Sequence, residues 1–485
     1  MMNVLLEYLS FACTGTGQAT FYNTKQEQEA ALSRLHTAAL AENRRIYALS
    51  ALLPVNDRSK QLVLLNLLIA GRQRQDAELE WQLIQAVAQT LPFNRILNLF
   101  LEIQQLGVNN ARTRRLGSWL WNRYGDAFRV IKYRPKFRAL LRHCHIPEGS
   151  NSAKAELHRW VFGKLTSREQ VQYNSLLAAR MAASHDYEAL FALPFDIARD
   201  IAVCQHHRQP NEFTLEFAER GKLTRKEQLR AQSTAGVEVD YRKFSLLELL
   251  RHLYQHPAEW ELIAPVLDEK AQQLASQMRL PPKVALVVDN SHSAMGSQER
   301  LYYPLAVIEA IARLCLAVKT SDVQAFYVGE PMDGSWLKAH GSTELRQPLA
   351  QALAGRPDLV LILSDGYENT SAGSIAQLLN TKAVKNSCLA IVHLNPVSAA
   401  ETGGVRRLAD GLPTFGVSLP EQLPLFALLG QAYTQPTVLE AFFDQIEKSL
   451  KGGDYHAARL IAGLSSHTTA DGGEHDFGAF IGAEN

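Results

Sequence analysis

The chain has 485 residues, 46% of them hydrophobic and 20% charged, with a formal net charge of +1, which is length and apolar content for two to four domains with buried cores. No run of 18 consecutive apolar residues is present, and the strongest apolar segment, LVLLNLLIAG at 62–71, is too short to span a bilayer. The start MMNVLLEYLSFACTG lacks a basic leader and carries Glu7, which argues against a secretory signal, and five widely spaced cysteines without a Cys-x-x-Cys pair argue against a disulfide framework or a zinc site. A reducing cytoplasm is the expected setting.

Taken in chain order, residues 25–280 read as successive amphipathic helices: KQEQEAALSRLHTAALA, NRRIYALSALL, SKQLVLLNLLIA, ELEWQLIQAVAQTL and FNRILNLFLEIQQLG. Apolar positions recur at helical spacing and each segment is closed by Pro, Gly, Asn or Asp. Helices of 12–18 residues on short loops, without strand patterns between them, predict an α-helical solenoid of HEAT-like pairs. After MRLPPKV, at 278–282, the pattern changes. The apolar runs VALVV, VQAFYVG, DLVLILS, SCLAIVHL and TFGVS alternate with helices at 301–318, 344–354 and 374–384, and two more helices follow. That alternation predicts a doubly wound α/β domain with a parallel sheet. The expected domains are therefore 1–280, 281–463 and a tail without fold at 464–485. TGTG at 14–17 has no strand before it and no Gly-Lys after it, so it is no nucleotide loop.

Charge is unevenly placed. Residues 281–485 hold 14 basic and 21 acidic side chains, a net of −7, which leaves +8 for residues 1–280. The excess lies within residues 1–150 and peaks between Arg112 and Arg142, where ten basic residues face the single acid Asp126. A one-sign block of this kind suits a polyanion. Aromatic residues run through it, a combination that serves single-stranded nucleic acid. Trp121, Tyr124 and Phe128 have the spacing of a buried helical stripe and are read as core; Tyr133, between Lys132 and Arg134, is the better base-stacking candidate.

The second cluster follows the VALVV run. Asp289, Ser291 and Ser293 form Asp-x-Ser-x-Ser in the loop at a strand's carboxyl end, where open parallel sheets bind ligands. Thr343 sits in a loop leading into a helix, and Asp365 ends DLVLILSDG. Two carboxylates and three hydroxyls are hard oxygen donors, and magnesium is the divalent cation they fit best. In order and context these five residues resemble the metal-ion-dependent adhesion site of von Willebrand factor A domains. The resemblance implies that the serines and threonine bind the metal directly or through water, and that an open position takes a partner's carboxylate. Asn290 and Ala294 replace more usual residues without touching the ligand set. A catalyst is not expected, because the site offers no positioned base beyond its own ligands, and Ser291, His292 and Asp289 are better explained as metal loop than as a hydrolase triad.

A helical-repeat domain followed by such an A domain resembles the Ro autoantigen family, with its TROVE domain. LLEYLSFACTGTGQATFYNTKQEQEAALSRL is similar to that family's entry segment, RTRRLGSWLWN and VIKYRPKFRALLRHCHIP to one of its helix pairs, and GSTELRQPLAQAL and VLILSDGYENTSAG to its metal-site loops. The resemblance implies a cytoplasmic, monomeric RNA-binding ribonucleoprotein component. Its solenoid would close into a ring that binds small structured or misfolded RNAs with single-stranded 3′ ends, in RNA quality control or repair. Arg114, Arg115, Lys132, Tyr133, Arg134, Lys136, Arg138, Arg142 and His145 are the expected RNA-binding residues. The competing expectation is a protein-interaction adaptor, in which the metal is presented to an AAA-type ATPase or another partner.

Overall fold

The structure, a computed structural model, describes residues 2–14, 24–70, 77–150, 152–220, 223, 227–228, 240–296, 301–332, 335–368, 373–381, 389–397 and 405–454. The glycine turn at 15–17 and the tail at 464–485 lie outside them. Two compact units are formed, each discontinuous in sequence: Met1–Leu64, Arg72–Gln89 and Phe244–Thr468 in one, Leu65–Gly71, Thr90–Lys243 and Thr469–Asn485 in the other. The units therefore part between Lys243 and Phe244, ahead of the change in pattern near 280, and the unit with the sheet also takes in the N-terminal helices.

The first unit is built on five parallel strands, β1 Lys283–Val288, β2 Asp322–Tyr327, β3 Leu359–Leu363, β4 Ala390–Asn395 and β5 Thr414–Gly416, in the order β2-β1-β3-β4-β5. Every residue of β3, and every residue of β1 after Lys283, is buried, which is why these strands read as unbroken apolar runs: a parallel sheet is covered on both faces. On one face Val287, Val360 and Ile362 pack with Leu345, Leu349 and Ala352. The edge strand β2 is only partly buried and alternates accordingly.

The N-terminal helix Met2–Thr14 packs on β5, and Asn56 donates its backbone N–H to Ala12 at 2.9 Å. The side chain of Gln422, fully buried, donates to the carbonyls of Pro54 at 3.0 Å and Cys13 at 3.4 Å. Arg45 reaches Asp444 at 2.6 Å and Glu447 at 2.7 Å on the helix Thr437–Lys451. The helix Arg44–Ser50 and the last described helix of this unit are thus neighbours.

The second unit is helical in its described residues. Phe93–Gln105 buries Ile96, Leu97, Phe100 and Ile103, the apolar stripe of its sequence. Side-chain caps start the following helices: Asn110 accepts from Arg112 and Thr113 N–H ahead of Ala111–Tyr124, Asp126 from Arg129 ahead of Ala127–Lys132, and Ser152 from Ala155 ahead of Ala153–Val161. Arg134–His143 packs against all four of these helices. Downstream, Ser175–Ala182, Phe195–His206 and Pro210–Glu219 run for 8, 12 and 10 residues, mostly shorter than the sequence pattern predicts. Prolines at 194 and 210 set the starts of the last two, and short 3-10 turns lie between. Phe191, Phe195, Phe213 and Phe217 form their shared core.

Candidate functional site

The sheet order reverses direction at β1 and β3, because β1 connects outward to β2 on one side and β3 to β4 on the other. Helices diverge at such a point and leave a crevice beyond the carboxyl ends of the two strands. Val288 pairs with Leu363, and Asp289 donates its backbone N–H to Leu363 at 2.9 Å. Asp289 and the Ser364-Asp365 turn therefore emerge side by side into that crevice.

All five residues expected from the sequence contribute. Ser291 Oγ lies 3.0 Å from Ser293 Oγ and 2.8 Å from Thr343 Oγ1, and the latter two are 3.3 Å apart. Asp289 accepts the Ser291 N–H at 3.1 Å on one oxygen and the Ser364 hydroxyl at 2.6 Å on the other. Asp365 accepts the Tyr367 N–H at 3.1 Å. Asp289, Ser291, Thr343 and Asp365 are all buried. Burial and the neighbouring Asp365 push the Asp289 carboxyl up to about 6, and burial also raises Asp365, against the lowering influence of a Tyr367 hydrogen bond, Ser293 and Arg406.

Two buried acids whose charges oppose each other, beside a triangle of hydroxyls, suit a small hard cation. Oxygens at neighbouring vertices of an octahedral magnesium shell, at about 2.1 Å from the ion, are about 3 Å apart, and the hydroxyl triangle has edges of that length. No group of three or more His, Cys, Asp and Glu side chains placed to hold a metal ion is found among the described residues.

Several residues that hold this arrangement were not legible as such. Asn290 is fully buried; its amide donates to the carbonyls of Glu330 at 2.8 Å and Lys338 at 3.2 Å, and its oxygen accepts the Gly329 N–H at 2.8 Å. It fastens the loop after β2 and the loop leading to Thr343 onto the Asp289–Ser293 loop, while backbone bonds from His340 to Asn290 and from His292 to Gly341 do the same. Asn395, at the end of β4, donates to the carbonyls of Asp365 at 2.9 Å and Arg406 at 3.1 Å. Gly366 adopts φ +84°, and a Cβ there would stand 3.1 Å from Arg406 O and from Asn395 Nδ2, so this turn needs glycine twice over. At the rim the Arg406 guanidinium lies 4.0 Å over the ring of the exposed Tyr367. Nothing in a single sequence distinguishes these positions from ordinary loop residues.

The basic candidates all fall in the second unit. Arg114, Arg115, Arg138, Arg142 and His145 are exposed, and Lys132, Tyr133, Arg134 and Lys136 are half-buried. Arg134 is engaged with its own fold: it donates to Trp160 O at 2.6 Å and lies 4.2 Å over the Trp160 ring. Its proton affinity is lowered by burial and by the charges of Arg138 and Arg180. Arg180, on the helix Ser175–Ala182, thus joins the cluster from outside the basic block at 112–142. Lys136 bonds Asn94 Oδ1, and Lys132 and Lys136 flank the Tyr133 ring at 5.7 and 5.9 Å. Trp121 is buried as expected, but Tyr124 and Phe128 are only half-buried, because the helix ends at Tyr124 and the stripe is not continued.

His145 has φ 53°. Its N–H bonds Arg142 O, and Ile146 N–H bonds Leu141 O, which is the paired helix-end motif that normally takes glycine. Two other helices in this unit end with the same bonds, with Gly107 and Gly163 at that place. A histidine stands where the local geometry asks for glycine, exposed and with Nε2 3.3 Å from Asn109 Nδ2.

Fold and site together define an open parallel-sheet unit with an oxygen-donor cluster at its switch point, accompanied by a helical unit with a basic face. No family model matches the sequence, and no curated protein does. A solved structure titled "Crystal structure of Deinococcus radiodurans RO (RSR) protein" matches over 89% of this chain and 100% of its own, at 14% identity and a TM-score of 0.49. At that level of likeness neither family membership nor activity follows. Among the described residues no helix is long and apolar enough to cross a membrane.

Proposed function

We propose that this chain is an RNA-binding protein, a ribonucleoprotein component that takes small structured or misfolded RNAs with single-stranded 3′ ends in RNA quality control or repair. The observation that carries the reading is the gathering of cations on the second unit, where exposed Arg138 and half-buried Arg180 stand near Arg134, whose proton affinity is lowered first by burial and then by these two charges. Like charges held together lose that repulsion when a polyanion neutralises them. Exposed Arg114, Arg115 and Arg142 extend the same sign along the unit. Each neutralised phosphate releases counterions, so affinity falls with salt at a slope of about 0.7 per contact for single strands. Replacing Arg114, Arg115, Arg138 and Arg142 together by Ala, and leaving Arg134 in its Trp160 contact, should weaken binding by roughly tenfold or more and flatten the salt slope by up to about 3. A folded quadruple variant with unchanged affinity and slope refutes this face as the RNA site.

The cluster of Asp289, Ser291, Ser293, Thr343 and Asp365 is proposed to hold Mg2+, which when bound supplies an open position for an anionic ligand. The exposed Tyr367 under Arg406 at its rim favours a second reading, in which the metal receives a carboxylate from a protein partner such as an ATPase. Purification with and without nuclease separates the two readings: an RNA protein carries a 260 nm excess that nuclease removes, and an adaptor does not.

A further inference from the structure

The half-buried aromatic residues of the second unit form a row. Trp119 and Tyr124 have ring centroids 5.8 Å apart, Tyr124 and Phe93 5.5 Å, and Phe93 and Tyr133 6.1 Å. Two helices and a junction supply them: Trp119 and Tyr124 come from Ala111–Tyr124, Phe93 begins Phe93–Gln105, and Tyr133 joins Ala127–Lys132 to Arg134–His143. Phe93 is buried and serves as the base of the row, while Trp119, Tyr124 and Tyr133 remain partly open.

Cations alternate with these rings. The Arg123 guanidinium lies 5.9 Å from the Trp119 ring and 5.6 Å from the Tyr124 ring. Arg129, which pairs with Asp126, lies 5.3 Å from Tyr124 and 5.8 Å from Phe93. Lys132 and Lys136 stand on either side in sequence of Tyr133, within 6 Å of its ring. Each cation–π contact stabilises the fold modestly at an exposed site, and π-faces interleaved with positive charge at a partly open surface also suit unpaired bases on a phosphate backbone.

We propose that Trp119, Tyr124 and Tyr133 form a stacking platform for consecutive unpaired bases of a single strand, with Arg123, Arg129, Lys132 and Lys136 meeting its phosphates. This rests on the RNA reading above and adds to it the part of the nucleic acid that is recognised. It also assigns a role to Trp119, and to Tyr124, which helical spacing had given to the core. Every base has a π-face, so the platform accepts sequence broadly.

The test compares the full chain's affinity for a ten-nucleotide oligouridine, an abasic oligomer of equal length and charge, and polyglutamate of equal charge. Stacking predicts that the abasic oligomer binds about tenfold or more weaker than oligouridine. Trp119→Leu and Tyr133→Leu should each lower oligouridine affinity about tenfold with an unaltered salt slope, leave abasic binding unchanged, and retain the wild-type melting transition. Tyr133→Phe keeps the ring and should bind as the wild type, which serves also where a leucine variant fails to fold. Equal wild-type affinity for oligouridine and the abasic oligomer overturns the platform and leaves phosphate contacts standing. Binding of neither oligomer overturns the RNA reading and the platform with it. Polyglutamate binding as tightly as oligouridine assigns the face to an acidic protein instead.

Discussion

At the scale of single residues, the oxygen-donor cluster depends on side chains that lie outside it. Asn290, itself fully buried, satisfies the backbone groups of Gly329, Glu330 and Lys338, and Asn290→Val removes all three bonds at once. A loss of about 3 kcal/mol is expected, read as a lower denaturation midpoint, and an unchanged midpoint would show the loops do not need this clasp. Asp289 presents the opposite case, a buried charge opposed by Asp365. Asp289→Asn removes that repulsion and the metal's anionic anchor together. The metal-free variant should melt no lower than the metal-free wild type at pH 8, while the rise in melting temperature with Mg2+ disappears. RNA affinity should stay within a few-fold, since the basic candidates lie in the other unit; its loss in a folded variant would undo that division of labour. Away from both sites, His36 is buried against Tyr8 and Tyr47, and its imidazole, bonded to the Tyr47 hydroxyl at 2.8 Å, is pushed down to about 3 by burial. The unfolded chain binds the proton between about pH 6.5 and 3 and the folded one does not. Stability from this residue is therefore complete above pH 6.5 and is lost as pH falls, and His36→Gln should flatten that acid limb of the urea midpoint against pH.

At the scale of elements, helix ends are where structure and binding compete. The helices closing at Gly107, His145 and Gly163 end on equivalent hydrogen bonds, yet only one carries a side chain at the left-handed position. That conformation costs a non-glycine residue about 1 kcal/mol. His145→Gly is expected to leave stability equal or raised by up to about that amount, and to weaken RNA binding severalfold. A variant that loses stability would give His145 a structural role; one that keeps both stability and affinity would remove it from the RNA face. Gly163→Ala, made in the same background, should lose about 1 kcal/mol, because it introduces the strain where no contact offsets it.

At the scale of the molecule, the first unit is assembled from both halves of the chain. Arg45, near the N-terminus, faces Asp444 and Glu447, and Glu447 also pairs with Lys451. The arginine is partly exposed, so each pair is worth little in water; reversal is more informative than removal. Arg45→Glu sets three carboxylates together and should cost about 1 kcal/mol, with Asp444→Arg restoring part of it. A reversal without effect on the melting transition would mean that burial, such as that of Gln422 against Pro54 and Cys13, holds these segments without help from charge.

The sequence by itself determined the elements and the inventory of donors. Unbroken apolar runs follow from a sheet covered on both faces, alternation from its partly buried edge strand, and helical periods from one-sided burial, while four of the five oxygen-bearing residues follow β1 and β3 directly and Thr343 lies in the loop before a helix. Charge bias was equally visible, since it needs no neighbours to be counted. Tertiary structure decided what depends on separation along the chain. The approach of the N-terminal helix to β5 brings Ala12 to Asn56 and Cys13 to Gln422, contacts without local periodicity to announce them. Only the packed loops distinguish Asn290 and Asn395 as clasps, because an amide's role is set by which carbonyls surround it. Arg180 joins Arg134 and Arg138 through the meeting of two helices, and Tyr124 escapes burial because its helix stops there. Local patterning records which face of an element avoids water; it does not record which distant element covers that face, and the sites of this protein are made where those coverings meet.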